Sequence, residues 1–294
     1  MRSELPPETA PPAWLLDDPA SSAFTDAIRR HPGFAPAIRA LAVGTLDLCV
    51  ADRALAGILK DAGRYVAAMC AASMQDDGVT LPRLKALCES FGLLSAGRAR
   101  ALLIYLRYLG YVSLWREHSG KGPARYLPSP LFLTRWRDHL KVALDAVATI
   151  DPFAADVARR LDEPAFFATF CRLQMEGLRA AALAHDPGDP LFNIFFHRHA
   201  GPHFTFTLMI QSEGECPPRG SLRIAVAEIA RRLDVSAVHI RRLLRDAEQA
   251  GLMTRDPTGI YKLTAVAVDG FAANYATQFA RLLNTAANTA RGIP

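Results

Sequence analysis

Cysteine is sparse in this sequence, and its placement does not favour crosslinking or metal binding. The five cysteines are odd in number and far apart, and no two of them form a Cys-x-x-Cys pair. Disulfide frameworks and structural zinc sites depend on closely and regularly spaced cysteines. The sequence therefore predicts reduced thiols, as in the cytosol, and no metal site.

Long hydrophobic runs are also missing. The most apolar stretch, residues 34–59, is interrupted by Arg39, Asp47, Asp52 and Arg53, and no basic start followed by an apolar run stands at the N-terminus. A membrane-spanning helix requires about 20 predominantly apolar residues. We therefore expect a cytoplasmic protein that has no membrane partner.

Recognisable catalytic patterns are absent as well. No nucleophile stands beside an obvious base, no paired carboxylates mark a site, and no glycine-rich loop forms a phosphate cradle. Residues 119–122, Ser-Gly-Lys-Gly, lack the GxxxxGK[ST] spacing and the preceding strand of a nucleotide-binding loop. We expect neither an enzyme nor a bound cofactor.

What the sequence does contain is arginine. Only five of its 34 basic residues are lysines, so 29 are arginines, and the formal net charge is +5. The planar guanidinium suits phosphate groups and guanine edges. A genome rich in G and C would also enrich arginine and alanine, and we attribute most of the bias to it. The charge fits a polyanionic partner without identifying one.

The chain divides into four segments. Residues 1–22 contain five prolines among acidic and small residues, which predicts a flexible N-terminal arm. Helical periodicity, punctuated by proline and glycine, then predicts a first repeat over residues 23–150, a linker over 151–163 and a second repeat over 164–294. Half of the residues are apolar, which is enough for two domains of ordinary size.

The two repeats resemble each other in sequence. Residues 95–103 match residues 236–244 at a shift of 141, and the same shift aligns a later glycine in each repeat. Each repeat also has one predicted β-hairpin, at residues 111–127 and 252–263. Two helical stripes correspond at a shift of 139, namely Phe132, Trp136, Leu140 and Leu144 with Phe271, Tyr275, Phe279 and Leu283. An internal duplication explains these matches.

The second repeat contains the clearer functional pattern. An amphipathic segment, residues 226–233, ends shortly before Ser236, which is a good N-cap for a second helix. One face of that second helix is apolar, and the opposite face carries Arg242 and Arg245, with Arg241 on its flank. The apolar face would hold the helix against its predecessor while the arginines enter the major groove of DNA.

A predicted wing follows this helix. Its two strands alternate around the turn at residues 256–259 and would bring Arg255 and Lys262 to backbone phosphates. Together with the second helix, the wing completes the DNA-binding set predicted for this repeat: Ser236, His239, Arg241, Arg242, Arg245, Arg255 and Lys262.

These residues resemble the winged helix-turn-helix of bacterial transcription regulators. The resemblance is carried by residues 228–236, residues 240–244, and Gly251-Leu252 before the hairpin. The repeat length, with long helices around each module, is similar to a MarR-type subunit, a group that normally works as a homodimer. The resemblance implies a mainly α fold with small β-wings. Its two tandem winged helix-turn-helix modules, linked by long helices, would form a fused pseudo-dimer that is a monomer or a homodimer.

The first repeat departs from this pattern. Ala101 and Ile104 stand where the second repeat has Arg242 and Arg245, and Tyr108 lies on the same face. This helix is therefore expected to read bases poorly and to contact phosphates instead. The longer first wing either contacts phosphate or is an ordinary solvated loop. The phosphate-binding residues predicted for this repeat are Arg98, Arg100, Arg116, Lys121 and Arg125.

Two further clusters precede the second module. His197, His199 and His203 could share a metal ion. Gly201-Pro202 interrupts their helix, however, so we interpret them as surface or interface histidines. The phenylalanines of residues 166–206 either line a pocket for a small apolar effector or pack as core, and we favour core packing.

Together these patterns favour a sequence-specific transcription regulator whose partner is double-stranded DNA. Two alternatives stay open: a plasmid-type replication initiator, which also carries tandem winged helices, and a winged-helix protein-interaction module. Only the second repeat keeps an arginine-bearing reading face. We therefore expect an off-palindromic or half-site target rather than a symmetric operator.

Overall fold

The protein is mainly helical with two small antiparallel sheets, as the sequence predicts. The computed structural model describes residues 22–92, 95–115, 122–184, 186–211 and 214–292. Within the predicted flexible arm only Ser22, the first residue of the first helix, belongs to these ranges. Of the predicted DNA-binding residues, Arg116 and Lys121 lie outside them.

The first half of the chain contains seven of the described helices and one sheet. Its elements are α1 (Ser22–Arg30), α2 (Phe34–Ala51), α3 (Arg53–Ile58), α4 (Ala62–Ser73), β1 (Val79–Thr80), α5 (Leu81–Ser90), α6 (Ala96–Tyr108), β2 (Val112–Leu114), β3 (Arg125–Pro128) and α7 (Pro130–Val147). The second half contains α8 (Phe153–Arg160), α9 (Pro164–Ala184), α10 (Pro190–Phe192), a π-helical turn (Asn193–His197), α11 (Gly201–Gln211), α12 (Val226–Arg232), α13 (Ala237–Gln249), β4 (Met253–Arg255), β5 (Tyr261–Leu263) and α14 (Ala265–Ala290).

Several helices begin at side-chain caps that the sequence supplies. In each case a serine or threonine oxygen accepts a hydrogen bond from the backbone N–H three residues later, which satisfies a donor of the open first turn. The caps are Thr80 for α5, Ser95 for α6, Ser129 for α7, Ser236 for α13 and Thr264 for α14.

Both predicted hairpins are present. In the first sheet the order is β1-β3-β2, because β3 pairs with β2 on one edge and with β1 on the other. In the second, β4 pairs with β5, and Tyr261 of β5 lies between Arg255 and Leu222. Leu222 thus pairs with β5 on the edge where, in the first sheet, β1 pairs with β3. The sequence did not predict either of these outer pairings.

Long helices from the two halves exchange partners. α1 packs on α14 of the second half, and α8 packs on α7 of the first half. In the same way, α4 packs on α9 and α11 packs on α2. The contact of α1 with α14 thus corresponds to that of α8 with α7, and the contact of α4 with α9 corresponds to that of α11 with α2. The shorter helices of one half are therefore supported by a long helix of the other, and one hydrophobic core runs through both.

The predicted linker, residues 151–163, forms a packed helix. Asp151 Oδ1 accepts from the N–H of Phe153 at 3.0 Å and so starts α8. Phe153, Ala154, Val157 and Ala158 are buried on one face of this helix. The spacing is amphipathic, but the helix has only eight residues, which is too short for periodicity to stand out in the sequence.

Of the described helices, only α2 is long and apolar enough to cross a membrane by length and composition. Seven of its residues are buried, and it packs between α7 and α11. A core helix of a soluble protein has these same properties. The structure is thus compatible with a soluble protein.

The two helical stripes matched in the sequence are both at the centre of the fold. All eight of their residues are buried. Around the first stripe, the rings of Trp136 and Tyr65 lie 5.2 Å apart, and His139 packs on both of them. Burial lowers the pKa of His139 to about 4, so its ring is neutral in the folded protein at neutral pH.

Candidate nucleic-acid interface

Helix α13 presents three arginines to solvent. Its buried face consists of Ile240, Leu243, Leu244 and Ala247, which pack the helix against α12. With that face fixed, the arginines at positions 241, 242 and 245 are all exposed. An exposed row of guanidinium groups on a packed helix can bind phosphates or base edges of a nucleic acid.

Asp246 lies directly beside this row. Its carboxylate accepts a hydrogen bond from Arg198, which precedes α11, and its Oδ1 is 3.5 Å from Arg245 Nε. Arg198, followed by weaker contributions from Arg245, holds the pKa of Asp246 below its ordinary value. Arg198 thus balances the one acidic side chain within ion-pair distance of Arg245 among the described residues. Sequence reasoning missed both Arg198 and Asp246, since their contact spans 48 residues.

The other two residues predicted on this helix have structural duties. Ser236 Oγ accepts from the N–H of His239 at 3.1 Å and caps the helix. His239 Nε2 donates to the backbone oxygen of His199 at 2.6 Å. The His239 ring is therefore turned toward the other parts of the protein and is only partly exposed.

The second wing is held by its turn. Asp256 Oδ1 accepts from the backbone N–H groups of Thr258 and Ile260, each at 2.9 Å, so the two strands meet closely. Arg255 and Lys262 are exposed on these strands. The Arg255 guanidinium lies over the ring of Tyr261, 5.5 Å from its centre, which limits the positions that this long side chain takes.

In the first half, α6 has a mixed surface. Arg100 and Arg107 are exposed, and between them lie the exposed Ala101 and Ile104. Tyr108 is the most exposed large apolar residue described, at 84%. This helix thus combines positive charge with an apolar surface, as predicted, whereas α13 has arginines at the positions that correspond to Ala101 and Ile104.

Two further predicted residues of the first half form contacts inside the protein. Arg98 Nη2 lies 3.4 Å from Asp61 Oδ1. Arg125 Nη1 donates to the backbone oxygen of Asp77 at 2.7 Å. Both keep part of their side chains accessible, so each links the interface region to the structure behind it.

Asp61 is the centre of a polar cluster between the two halves. Its side chain is only 2% exposed, and its Oδ1 accepts from the N–H of Arg64 at 2.9 Å, which caps α4. Its Oδ2 lies 3.6 Å from His199 Nδ1 and 3.3 Å from Arg64 Nε. Burial raises the pKa of Asp61, but His199, Arg64 and Arg98 outweigh it and hold the pKa below its ordinary value.

This cluster connects α6 to α13. Arg98, in the first turn of α6, contacts Asp61, which faces His199, and His199 accepts from His239 in the first turn of α13. An aspartate at the start of a helix is a recognisable N-cap, so the sequence could indicate this role of Asp61. Its contacts with Arg98 and His199 join distant segments and have no sequence pattern.

A second contact crosses the same boundary. Lys60 Nζ donates to the backbone oxygen of Asp234 at 3.3 Å and lies 3.7 Å from its carboxylate. Asp234 has a φ of 51° and forms the turn between α12 and α13. The loop before α4 is therefore attached to this turn.

Positive charge is concentrated in the two regions that contain the hairpins. Residues 79–128 hold eight basic and two acidic residues, a net charge of +6, and residues 222–263 hold eight basic and five acidic residues, a net charge of +3. Because the whole chain carries +5, the remaining residues carry −4. A modest overall charge thus conceals two strongly basic regions, which are suited to a polyanion.

The three histidines before and within α11 are separated by their surroundings. His203 is buried with its Nε2 3.3 Å from Cys49 Sγ, and burial lowers its pKa to about 4. His199 faces Asp61, whereas His197 ends the π-helical turn. Among the described residues, no group of three or more His, Cys, Asp or Glu side chains is arranged to hold a metal ion.

The phenylalanines near the second module pack on one another. Phe195 stacks on Phe204 at 6.3 Å and contacts Phe271 of α14 at 5.0 Å, with all three buried. A cavity of about 320 Å³ lies elsewhere, between the α1–α2 turn, residues 214–219 and α14. Its walls include Arg29, so it is not purely apolar. The small apolar effector stays a prediction.

Comparison with known proteins gives no match, either to a protein-family model, to a curated protein or to a solved structure.

Proposed function

We propose that this protein is a sequence-specific, DNA-binding transcription regulator built from two tandem winged helix-turn-helix modules in a fused, MarR-like pseudo-dimer. The observation that carries the proposal is the exposed row of Arg241, Arg242 and Arg245 on α13, a short helix packed against α12 by its opposite face. Forked donors on such a helix match the acceptors of guanine in the major groove.

The order of elements supports two copies of one module. Each half has a helix, an edge strand or bridge, two short helices, a hairpin and a long helix. The turn between the two short helices contains a residue with positive φ in both copies, Gly92 at 66° and Asp234 at 51°. Helices α6 and α13 have the same length and are followed by Gly110 and Gly251, with φ of 70° and 69°.

The exchange of long helices supports the pseudo-dimer. In a homodimer each subunit would lend its helices to its partner, and here one chain makes both sets of contacts. α13 then reads bases, Arg255 and Lys262 of the wing contact phosphates, and the first module extends the contact along the duplex. The free cysteines are in keeping with the cytoplasm.

Genome-wide recovery of DNA bound by the tagged chain tests this function. We expect enrichment near promoters and a recovered motif without palindromic symmetry, and both should disappear in the Arg242→Ala/Arg245→Ala double variant. Enrichment at repeated sequences of a replication origin would instead identify an initiator. The absence of enrichment, with weak and salt-insensitive binding in vitro, would overturn DNA binding and leave a protein-interaction module.

A further inference from the structure

The two short helices α6 and α13 correspond position by position. Their caps, Ser95 and Ser236, are 141 residues apart, and both helices contain 13 residues. The counterparts of Arg242 and Arg245 are therefore Ala101 and Ile104. At the two positions where α13 offers hydrogen-bond donors, α6 offers methyl groups.

These methyl groups are available to a ligand. Ala101 is exposed, and the side chain of Ile104 is 54% exposed. Tyr108 and Leu114, exposed by 84% and 52%, continue the apolar surface toward the hairpin, where they form an open groove. Ile104, Tyr108 and Leu114 line the same groove, so they form one surface rather than isolated exposed side chains.

The charge around this surface favours DNA as its occupant. Residues 79–128 carry a net charge of +6 and the region that contains α13 carries +3, so both regions are basic. Arg100 and Arg107 are exposed on the same helix, and the Arg107 guanidinium lies 5.1 Å from the ring centre of Tyr126. A module that had lost its contact with DNA would have no need of this excess charge, whereas phosphates on both sides of a groove require it.

We propose that α6 enters the major groove and recognises thymine through its C5 methyl group, by apolar contact with Ala101 and Ile104. This inference rests on the proposed function and names the sequence class that the first module reads; it replaces the expectation, drawn from the lack of arginines on this face, that α6 contacts phosphates only. Thymine alone presents a methyl group in the major groove of unmodified DNA, and alanine-type side chains contact it. The target then has one T-rich half and one half containing guanines for Arg242 and Arg245.

The spacing of the two residues fits neighbouring bases. Residues three apart on a helix are separated by about 4.5 Å along its axis. Successive bases on one DNA strand are separated by about 3.4 Å. Ala101 and Ile104 therefore reach the methyl groups of adjacent or next-adjacent thymines on one face of the groove.

The test begins with selection of a target from random duplex DNA by the full-length protein. The half read by α13 is identified as the one whose base preference is lost in Arg242→Ala. Deoxyuridine, which lacks only the methyl group, then replaces thymine in each half separately. Affinities are measured by fluorescence anisotropy for the wild type, for Ile104→Ala, and for the control Val50→Ala, an exposed residue outside both modules.

We expect deoxyuridine in the T-rich half to weaken wild-type binding by about fourfold for each contacted methyl group, as for loss of one buried methylene. The same substitution should have a smaller effect on Ile104→Ala, because the contact is already lost. Val50→Ala should behave as the wild type.

Three results would overturn the inference. If deoxyuridine leaves wild-type affinity unchanged in both halves while Arg242→Ala still loses its preference, the proposed function stands and thymine reading by α6 fails. If Ile104→Ala binds every duplex as the wild type does, Ile104 does not contact DNA and the inference fails. If no duplex is selected, the proposed function fails together with the inference.

Discussion

Asp61 and His199 face each other across the boundary between the two halves, with 3.6 Å between Oδ2 and Nδ1. Asp61 begins α4, and His199 lies between the π-helical turn and α11. Through Arg98 on one side and His239 on the other, this contact joins the first turns of α6 and α13. The relative position of the two modules is thereby fixed at the ends of the helices proposed to meet DNA.

Replacing Asp61 with asparagine should destabilise the fold. The side chain keeps its shape but loses the charge that Arg64 and Arg98 face. Because these arginines are 28% and 49% exposed, water compensates them in part, and the loss should cost about 1–3 kcal/mol. Because the pKa of Asp61 is lowered in the fold, its contribution is full above the ordinary carboxyl pKa, about 4. It declines only as the pH falls through the folded-state pKa.

Urea unfolding checks this prediction. The difference in unfolding free energy between the wild type and Asp61→Asn should be constant from neutral pH to about pH 5 and should become smaller below about pH 4. Asp269→Asn, which removes an exposed ion pair with Arg29, is the matched control and should change stability by less than about 1 kcal/mol. A gap for Asp61→Asn as small as the control's would contradict the assigned role.

His139 should make the fold sensitive to acid. Its pKa is about 4 in the fold against 6.5 in an exposed histidine, so the unfolded chain binds the extra proton between these values. The stability that neutral, buried His139 contributes is complete above about pH 6.5. It is lost on acidification toward pH 4, by up to about 1.4 kcal/mol per pH unit. His139→Phe keeps an aromatic ring and should reduce the slope of the stability profile over that range by about half, because His203, whose pKa is also lowered to about 4, contributes a similar slope. Equal slopes for both proteins would argue against a buried, neutral His139.

Replacing Arg242 or Arg245 with alanine should weaken binding to the selected target. Each arginine that makes a bidentate base contact is worth roughly 1–3 kcal/mol, and its loss should relax the preference at one base pair. Titration of target and scrambled duplexes measures both effects. Arg179→Ala, on the long helix α9 and outside both modules, is the control and should leave them unchanged.

The wing residues should behave differently from those of α13. Arg255→Ala and Lys262→Ala should weaken binding to all sequences to a similar degree, because phosphates carry no base information. Each should also reduce the slope of log affinity against log salt by about 1. A change in base preference without a change in salt slope would place these residues at bases instead.

Arg198 should support DNA binding without touching DNA. Once Arg198→Ala removes its partner, the Asp246 carboxylate is left to pair with Arg245, which lies 3.5 Å away. We expect the affinity for DNA to fall severalfold and to recover when Asp246→Asn is added, because the competing charge is then gone. Failure of the double variant to recover would show that Arg198 acts in another way, such as by direct phosphate contact.

Periodicity in the sequence was sufficient for the local elements. The cap at Ser236 and the two hairpins occur where they were predicted, since each depends on neighbours within a few residues. The short helix α8 and the two-residue strand β1 were not predicted. Segments of this length carry too few residues for a periodic signal, and their stability comes from the surfaces on which they pack.

The candidate site was only partly accessible to sequence reasoning. The outward position of Arg242 and Arg245 followed from counting around a helix, and the structure has both exposed. His239 was also predicted to contact DNA, yet its ring is only partly exposed and bonds to the backbone oxygen of His199, 40 residues earlier. Asp61 and Arg198 gave no functional signal, because their partners are distant in the chain.

The sequence by itself determined the mainly helical pattern, the two hairpins and the chemical contrast between the arginines of α13 and the apolar residues at the same positions of α6. These depend on the order of side chains along a single segment. Only the tertiary structure decided that long helices are exchanged between the halves and that Asp61 stands between the two modules. Such contacts require surfaces formed by segments far apart in sequence, which complement each other only after the chain has folded.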